Sequence, residues 1–193
     1  MSDVTLTNIT DLVRNIIGDY LRSDSDVFEY VSSAIFTLTE ENTTAVSSVY
    51  LNGALLATTD YSYDITTQKV TITASLDIGD SIEIFYTYYA KYSTTELNNY
   101  VKSALTYLAV YNYKEYYEED DTIYPEPFSK DKSLIAVIAS IIVSPKNSTI
   151  RTPDMTIMAP EGSLPLQDMI QKTITVFKSS SHGIFYLAWK SLI

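Results

Sequence analysis

The hydrophobic period of this chain changes twice, and this change constrains the fold more than any other feature of the sequence. In the N-terminal segment and again after about residue 93, apolar residues recur at three- and four-residue steps, the spacing of one helix face. Between these segments the apolar side chains alternate with their neighbours, which is the period of a half-buried β-strand. The alternating positions are Val70, Ile72, Ala74, Ile82, Ile84 and Tyr86.

Turn signals divide the middle of the chain into short strands. Asn52-Gly53 is a strong hairpin signal, because both residues tolerate a positive φ. The triplet Ile78-Gly79-Asp80 separates the two alternating strands, and residues 35–38 predict a further strand. We therefore predict a small antiparallel β unit that begins at about Val27 and extends to about residue 92.

Four helices are predicted outside the β unit. The second opens with a capping box, Ser93 and Glu96, in which each side chain bonds a backbone N–H of the first turn. The third is apolar on most sides, which predicts a centrally buried helix. The predicted bounds are Asn8 to Leu21, Ser93 to about Tyr117, Ser129 to Val143, and Ser163 or Pro165 to Lys178.

The order of these elements predicts the fold class and the domains. We expect an α+β protein, with a bundle of about four helices, a small antiparallel β domain inserted between helix 1 and helix 2, and an extended apolar C-terminal arm. The helical core comprises residues 1–26 and 93–178, the inserted β domain residues 27–92, and the arm residues 179–193.

The charge and the cysteine count exclude several classes of protein. A formal net charge of -11 and a pI near 4.4 argue against gripping nucleic acid, which needs clustered lysine and arginine. With no cysteine there is no disulfide, no thiolate nucleophile and no cysteine metal site. The N-terminus has no basic and apolar signal-peptide pattern, and the longest apolar run, 134–143, is too short to span a bilayer.

Tyrosine is the unusual residue of the composition, with 17 Tyr against 6 Phe. Tyrosine has a large rigid face and a polar tip, so it suits surfaces that are wet in a monomer and covered in an assembly. A tyrosine-rich strand surface is an equal alternative, because strand preferences depend on context. Composition alone leaves both interpretations open.

Catalysis has little support in the sequence. The single histidine, His182, follows a serine run, and no G-x-S-x-G elbow places a serine beside it. The 5 glycines form no phosphate-binding loop. We therefore predict a protein that is not an enzyme and that holds no cofactor and no metal.

The β unit resembles a module that recurs in phage structural proteins. Its features are an apolar pair before Asn52-Gly53, then Tyr61-Ser62-Tyr63, then an alternating strand, then Gly79-Asp80 and a second alternating strand. The match covers about a quarter of the chain. It implies a virion protein without implying a position in the virion.

The helical part is similar to the head–tail connector adaptors of tailed phages. The likeness rests on the element order, on a second helix that opens with Ser-Thr-Thr-Glu-Leu, and on the C-terminal segment. The family implies a homo-oligomeric ring, commonly of twelve subunits, between the portal and the next neck or tail protein. It also implies a channel through which DNA passes, and docking on the portal partly through the C-terminal arm. The β insert departs from the minimal adaptor.

The resemblance gives two groups of residues an expected role. The acidic run lacks the spaced ligands and central glycine of a calcium loop, and we expect it to line or rim the channel. Its residues are Glu118, Glu119, Asp120 and Asp121. The apolar C-terminal segment either folds onto its own core or fills an apolar groove on a partner such as the portal. Its candidate docking residues are Ile184, Phe185, Tyr186, Leu187, Trp189, Leu192 and Ile193.

The sequence therefore predicts a structural virion protein at the head–tail interface, assembled in the host cytoplasm, with no membrane partner. Two alternatives stay open. One is a tail-completion, baseplate or fibre-associated subunit. The other is a glycan-binding β module, with exposed tyrosines that stack on sugars, attached to a helical oligomerisation domain.

Overall fold

The computed structural model describes residues 4–145, 149–152, 155–158, 165–179 and 186–187. The protein is α+β with antiparallel sheets and four helices among these residues, which confirms the predicted class. The helices are α1 (Leu6–Ile17), α2 (Thr94–Val110), α3 (Ser129–Val143) and α4 (Leu166–Ser179). The strands are β1 (Leu21–Glu29), β2 (Ile35–Thr37), β3 (Thr43–Leu51), β4 (Ala54–Leu55), β5 (Tyr61–Asp64), β6 (Lys69–Ile72), β7 (Ser81–Tyr89), β8 (Tyr117–Glu119), β9 (Thr122–Tyr124), β10 (Thr149–Thr152), β11 (Met155–Met158) and β12 (Tyr186–Leu187).

The chain forms two compact units. Residues 1–18 and 94–193 form one, here called the helical unit, and residues 19–93 form the other, here called the β unit. None of the described helices is both long and apolar enough to cross a membrane.

The helical unit is built around α3. Residues 134–141 of this helix are buried on all sides, as its apolar sequence predicts. Helices α1, α2 and α4 each contact α3, and they bury Ile9, Leu108 and Ile170 among others. Burial of one large aliphatic side chain contributes about 1.5–3 kcal/mol, so α3 is the main source of stability in this unit.

Three predicted helix ends are wrong. Helix α1 spans Leu6–Ile17, not 8–21, because Thr5 caps its start and Gly18 ends it at a left-handed φ of 66°. Helix α2 ends at Val110, not near Tyr117. Asn112 there takes a positive φ of 52°, and the N–H of Tyr113 donates to the carbonyl of Leu108 at 2.9 Å, which is the Schellman ending of a helix.

The β unit consists of two antiparallel sheets with one shared core. The four-stranded sheet has the order β1-β7-β3-β4, and the three-stranded sheet has the order β2-β6-β5. Alternate residues of both sheets bury into one cluster, as the period of two predicts. Its members are Phe36, Leu38, Val49, Val70, Ile72, Ile82, Ile84, Tyr86 and Tyr88.

The turn at Asn52-Gly53 is the two-residue hairpin that the sequence predicts. Tyr50 pairs with Leu55 across it, and both turn residues have positive φ, 51° and 79°. The predicted start of the β region at Val27 is wrong, because β1 begins at Leu21 and pairs with β7 along its whole length. Ser23, Asp24, Ser25 and Asp26 hide the alternation of this edge strand in the sequence.

Candidate functional site

The module residues that the sequence singles out are structural. The Asn52 side chain donates to Asp80 Oδ1 at 2.7 Å and accepts from the backbone N–H of Ser81 at 2.9 Å, so the two turns are joined. The second oxygen of Asp80 accepts from the N–H of Asp77 at 2.7 Å, and these bonds lower the pKa of Asp80. The Asn-Gly and Gly-Asp signals thus hold one end of the sheet together.

The tyrosines of the module serve the same core. The hydroxyl of Tyr63 donates to the backbone carbonyl of Thr43 at 3.0 Å, and Tyr61 packs against the shared cluster. Tyr86 and Tyr88 are buried within it. These four tyrosines therefore serve the core, while Tyr20 is 61% exposed and Tyr50 lies beside Phe85 on the outward side.

The acidic run lies in a hairpin, not at the end of a helix. Glu118 and Glu119 belong to β8, while Asp120 and Asp121 form its two-residue turn with positive φ angles of 49° and 65°. The hairpin pairs with the N-terminal segment: the N–H of Leu6 donates to the carbonyl of Asp121 at 2.8 Å. The carboxylates at 118–121 are therefore brought together by a turn next to the start of α1.

Two of these acids hold the hairpin in place. Glu118 forms an ion pair with Lys102 of α2, with Nζ and Oε2 separated by 2.8 Å. This bond and the N–H of Asp121 lower the pKa of Glu118. The hydroxyl of Thr7 donates to Asp121 Oδ2 at 3.1 Å. Glu119 and Asp120 are exposed, so they are the two members of the run whose carboxylates face solvent.

A buried carboxylate, which the sequence did not indicate, fixes one end of the helical unit. Asp131 in the first turn of α3 accepts hydrogen bonds from the hydroxyls of Tyr113 and Tyr116, at 2.7 and 2.6 Å. Lys114 Nζ lies 3.2 Å from the same carboxylate and over the ring of Phe128. The segment after α2 is thereby tied to the start of α3.

The protonation of this cluster follows from its contacts. Burial opposes the charged form of Asp131, but hydrogen bonds from Tyr116, Tyr113 and Lys114 outweigh it and lower its pKa. Burial, and then the hydrogen bond to the carboxylate, raise the pKa of Tyr113 and of Tyr116. The carboxylate therefore favours its ionised form and both phenols favour their neutral form. In these forms the hydrogen bonds hold the segment after α2 against the start of α3.

Two lysines close the same end of the bundle. Lys178 of α4 donates to the carbonyls of Tyr111 and Asn112, both at 3.0 Å, and Lys130 of α3 donates to the carbonyl of Phe177. Cations at the carbonyl ends of helices are favourable. The polar groups at this end are therefore bonded within the subunit.

Within the described residues no group of three or more acidic, histidine or cysteine side chains is arranged to hold a metal ion. His182 lies outside these residues. So do Ile184, Phe185, Trp189, Leu192 and Ile193 of the predicted docking segment. Residues Tyr186–Leu187 form β12, which pairs in parallel with β11 of the same chain.

Large apolar side chains remain on the surface of both units. In the helical unit Tyr117 and Tyr124 stack across the acidic hairpin, with ring centroids 5.6 Å apart and exposures of 59% and 39%. Phe128 is 74% exposed.

In the β unit, exposed apolar residues lie on the outward sides of the two sheets. The outward residues of the four-stranded sheet, here called the Phe85 face, are Leu21, Ser23, Ser25, Val27, Glu29, Ala45, Ser48, Tyr50, Leu55, Ser81, Glu83, Phe85, Thr87 and Tyr89. Those of the three-stranded sheet, the Thr71 face, are Ile35, Thr37, Ser62, Asp64, Lys69 and Thr71. Neither face stands out in the sequence as a contact surface, although Phe85 breaks the polar side of β7.

The chain matches no protein-family model and no curated protein sequence.

Proposed function

We propose that this chain is a structural subunit that assembles with copies of itself into a ring, as a head–tail connector of a tailed phage. The ring sits at the virion neck, contacts the portal on one side and the next neck or tail protein on the other, and lets DNA pass through its channel. Its proposed role is to hold neighbouring virion proteins in position, and this role needs no bond-breaking chemistry.

One observation carries the proposal. Charged side chains such as Asp131 and Lys178 form hydrogen bonds within the subunit, whereas several large apolar side chains are exposed on its surface. Asp131, Lys130 and Lys178 all have partners in the helical unit. Phe128, Val27 and Leu55 are each more than 60% exposed. A contiguous patch of exposed apolar side chains marks a protein contact, and Tyr50 and Phe85, in contact on the outward side of the β unit, are the start of such a patch.

The proposed parts follow the element order. The β unit, residues 19–93, is an insert in the connection between α1 and α2, and residues 179–193 form an arm that docks on the portal. The exposed carboxylates of Glu119 and Asp120 face the channel, where negative charge repels phosphate and keeps DNA sliding. Glycan binding has less support, because the module tyrosines Tyr61 and Tyr63 pack against the core, and Tyr50 is the module tyrosine on the outward side of its sheet.

The direct test is the assembly state of the full chain. Native mass spectrometry and electron microscopy of the purified protein, alone and co-expressed with the portal protein of the same virus, are expected to give closed rings of fixed copy number. A chain that stays monomeric in both preparations and is absent from virus particles would contradict the proposal. Rings located at a baseplate or fibre would instead support the alternative that the chain is a tail subunit.

Removal of residues 179–193 tests the arm. Truncation after Lys178 is expected to leave a folded subunit that no longer co-purifies with the portal, while the full chain does. Circular dichroism reports folding in both. If the truncated chain fails to fold, the segment belongs to the helical unit's own fold, in keeping with the pairing of β12 to β11.

A further inference from the structure

The Phe85 face carries an apolar stripe across all four strands of its sheet. Val27 on β1 and Leu55 on β4 are 67% and 64% exposed, and Phe85 on the central strand β7 is 36% exposed. Between Phe85 and Leu55, Tyr50 meets the Phe85 ring edge to face, with centroids 5.7 Å apart. In the ladder, Val27 and Tyr50 both pair with Glu83 of β7, and Tyr50 also pairs with Leu55. The exposed apolar side chains therefore surround one carboxylate, with Phe85 one step along the same strand.

This face is poor in charge although its unit is strongly acidic. The β unit has 3 basic and 11 acidic residues, a formal charge of -8 out of the -11 of the whole chain. The Phe85 face holds only Glu29 and Glu83 among its outward residues. Two copies of so acidic a unit repel each other, and a contact between them is least unfavourable where charges are few.

The Thr71 face complements it. Three of its six outward residues are threonine or serine, two are the charged Asp64 and Lys69, and Ile35 at the edge is 52% exposed. The carboxylate of Asp64 is occupied by its own turn, where it accepts from the N–H of Thr66 at 2.9 Å and from the Thr67 hydroxyl at 2.8 Å. Lys69 is left as the cation of this face, able to meet Glu29 or Glu83 of another copy.

The size of the Phe85 face indicates how it is used. The three nine-residue strands, about 4.8 Å apart and about 3.3 Å per residue, span about 10 by 30 Å, or about 300 Å², and the two-residue β4 adds little. A stable pairwise interface buries about 800 Å² on each partner. A single such contact is therefore too small for a lasting dimer, and it fits a subunit that makes one contact on each side in a closed ring.

We propose that the Phe85 face of one copy packs on the Thr71 face of the next copy, so that the β units form the lateral contacts of the assembly. The inference rests on the proposed ring and names the surfaces that join its subunits. Phe85 is the central anchor of the contact. An ion pair between Lys69 of one copy and Glu29 or Glu83 of the next sets the direction in which the two copies pack. The contact is head-to-tail, because two different faces are used.

Cross-linking in the full chain tests this arrangement, and the absence of native cysteine gives a clean background. Ser48 lies at the centre of the Phe85 face and Thr71 at the centre of the other. Packed sheets are about 10 Å apart, too far for a disulfide, so the reagent is a short bis-maleimide. The probes are Ser48→Cys and Thr71→Cys, each alone and mixed, and the control pairs Ser48→Cys with Thr106→Cys on the exposed side of α2.

We expect cross-linked dimers in the mixture of Ser48→Cys and Thr71→Cys, and little product from either alone or from the control pair. A chain that carries both cysteines is expected to give a ladder of oligomers. Adding Phe85→Ser is expected to lower the mixed yield about tenfold, as loss of an anchor residue does. The matched change Ile78→Thr removes another exposed apolar side chain of the same unit, away from both faces, and is expected to leave the yield unchanged.

Two results would overturn the proposal. Dimers from Ser48→Cys alone would mean that the Phe85 face pairs with itself, and a mixture with no more product than the control would mean that these faces do not meet. The proposed function is tested separately. Cross-linked ladders without closed rings would support the contact between the two faces and contradict the ring. Rings without the specific cross-link would keep the ring and remove the contact.

Discussion

The two units of this protein place their charges differently. The helical unit has 10 basic and 13 acidic residues, and several of its lysines close helix ends or meet a buried carboxylate. The β unit has 3 basic and 11 acidic residues and a core made almost entirely of apolar and tyrosine side chains. In the helical unit a buried carboxylate, Asp131, ties the start of α3 to the segment after α2. In the β unit the bonded carboxylates Asp64 and Asp80 fix turns, and most of the surplus negative charge lies outside the Phe85 face. The comparison teaches that buried charge contributes to the packing of one unit, whereas the other depends on an apolar core beneath an acidic surface.

The largest expected effect is the loss of stability when a buried isoleucine is shortened in the core of either unit. Ile138 in α3 and Ile84 in β7 are both fully buried. Ile138→Ala and Ile84→Ala are each expected to cost about 2–5 kcal/mol, from lost burial plus the cavity left behind. Hydrogen exchange would show the loss of amide protection in residues 94–145 for the first variant and in residues 19–93 for the second. Exposed Ile78→Ala serves as the control. A neutral Ile138→Ala would remove α3 from the centre of its unit.

The next effect is the buried carboxylate. Asp131→Asn removes the charge that binds two phenols and a lysine, and we expect a loss of about 2–3 kcal/mol from the helical unit in urea unfolding. Tyr116→Phe removes one hydrogen bond and is expected to cost about 1 kcal/mol. An Asp131→Asn variant as stable as the parent would show that the unit does not depend on internal charge, and the comparison would fail.

The stability of the helical unit at low pH should depend on the same residue, Asp131. The folded-state pKa of Asp131 lies below its ordinary value of 3.8. Its contribution to stability is therefore complete above about pH 4, the usual unfolded-state pKa, and is lost as the pH falls through the lower folded-state value. Urea midpoints from pH 5 down to pH 2 are expected to fall more steeply in the parent than in Asp131→Asn. Lowered pKa values at Glu118, Asp64 and Asp80 affect both proteins alike, and parallel curves would exclude a role for Asp131.

The smallest effect concerns glycines at turns. Gly53 in the hairpin and Gly18 at the end of α1 both have left-handed φ angles, 79° and 66°. Gly53→Ala meets no neighbouring atom within 4 Å, so its cost is that of the backbone alone, about 1 kcal/mol. We expect a similar cost for Gly18→Ala. Thermal unfolding of the two variants would measure them, and an unchanged Gly53→Ala protein would mean that the turn relaxes.

Features that depend on local pattern could be predicted from the sequence. The alternation at Ile82, Ile84 and Tyr86 predicted their burial, and the all-apolar sequence of α3 predicted its central position. The helix ends were missed although Gly18 and Asn112 signal them, since both residues favour the left-handed conformation that ends a helix. These errors came from extending a periodic pattern past its stop signal.

Features that depend on distant partners could not be predicted. Strand β1 carries few apolar residues and pairs with β7, about 60 residues later in the chain. The Asp131 cluster needs the hydroxyls of Tyr113 and Tyr116 to reach the start of α3, which no spacing in the sequence encodes. The acidic run was identified, but its hairpin was not, because a long helix was expected to continue to it.

The first and last strands of the β unit are neighbours, and Leu21 at the start of β1 pairs with Tyr89 at the end of β7. The polypeptide thus enters and leaves this unit at one rung of the ladder, roughly 5 Å wide. Such a segment behaves as a cassette. Recombination that adds it to a helical gene, deletes it or swaps it for another module has only a short gap to bridge, so related helical proteins are expected to differ by the whole cassette.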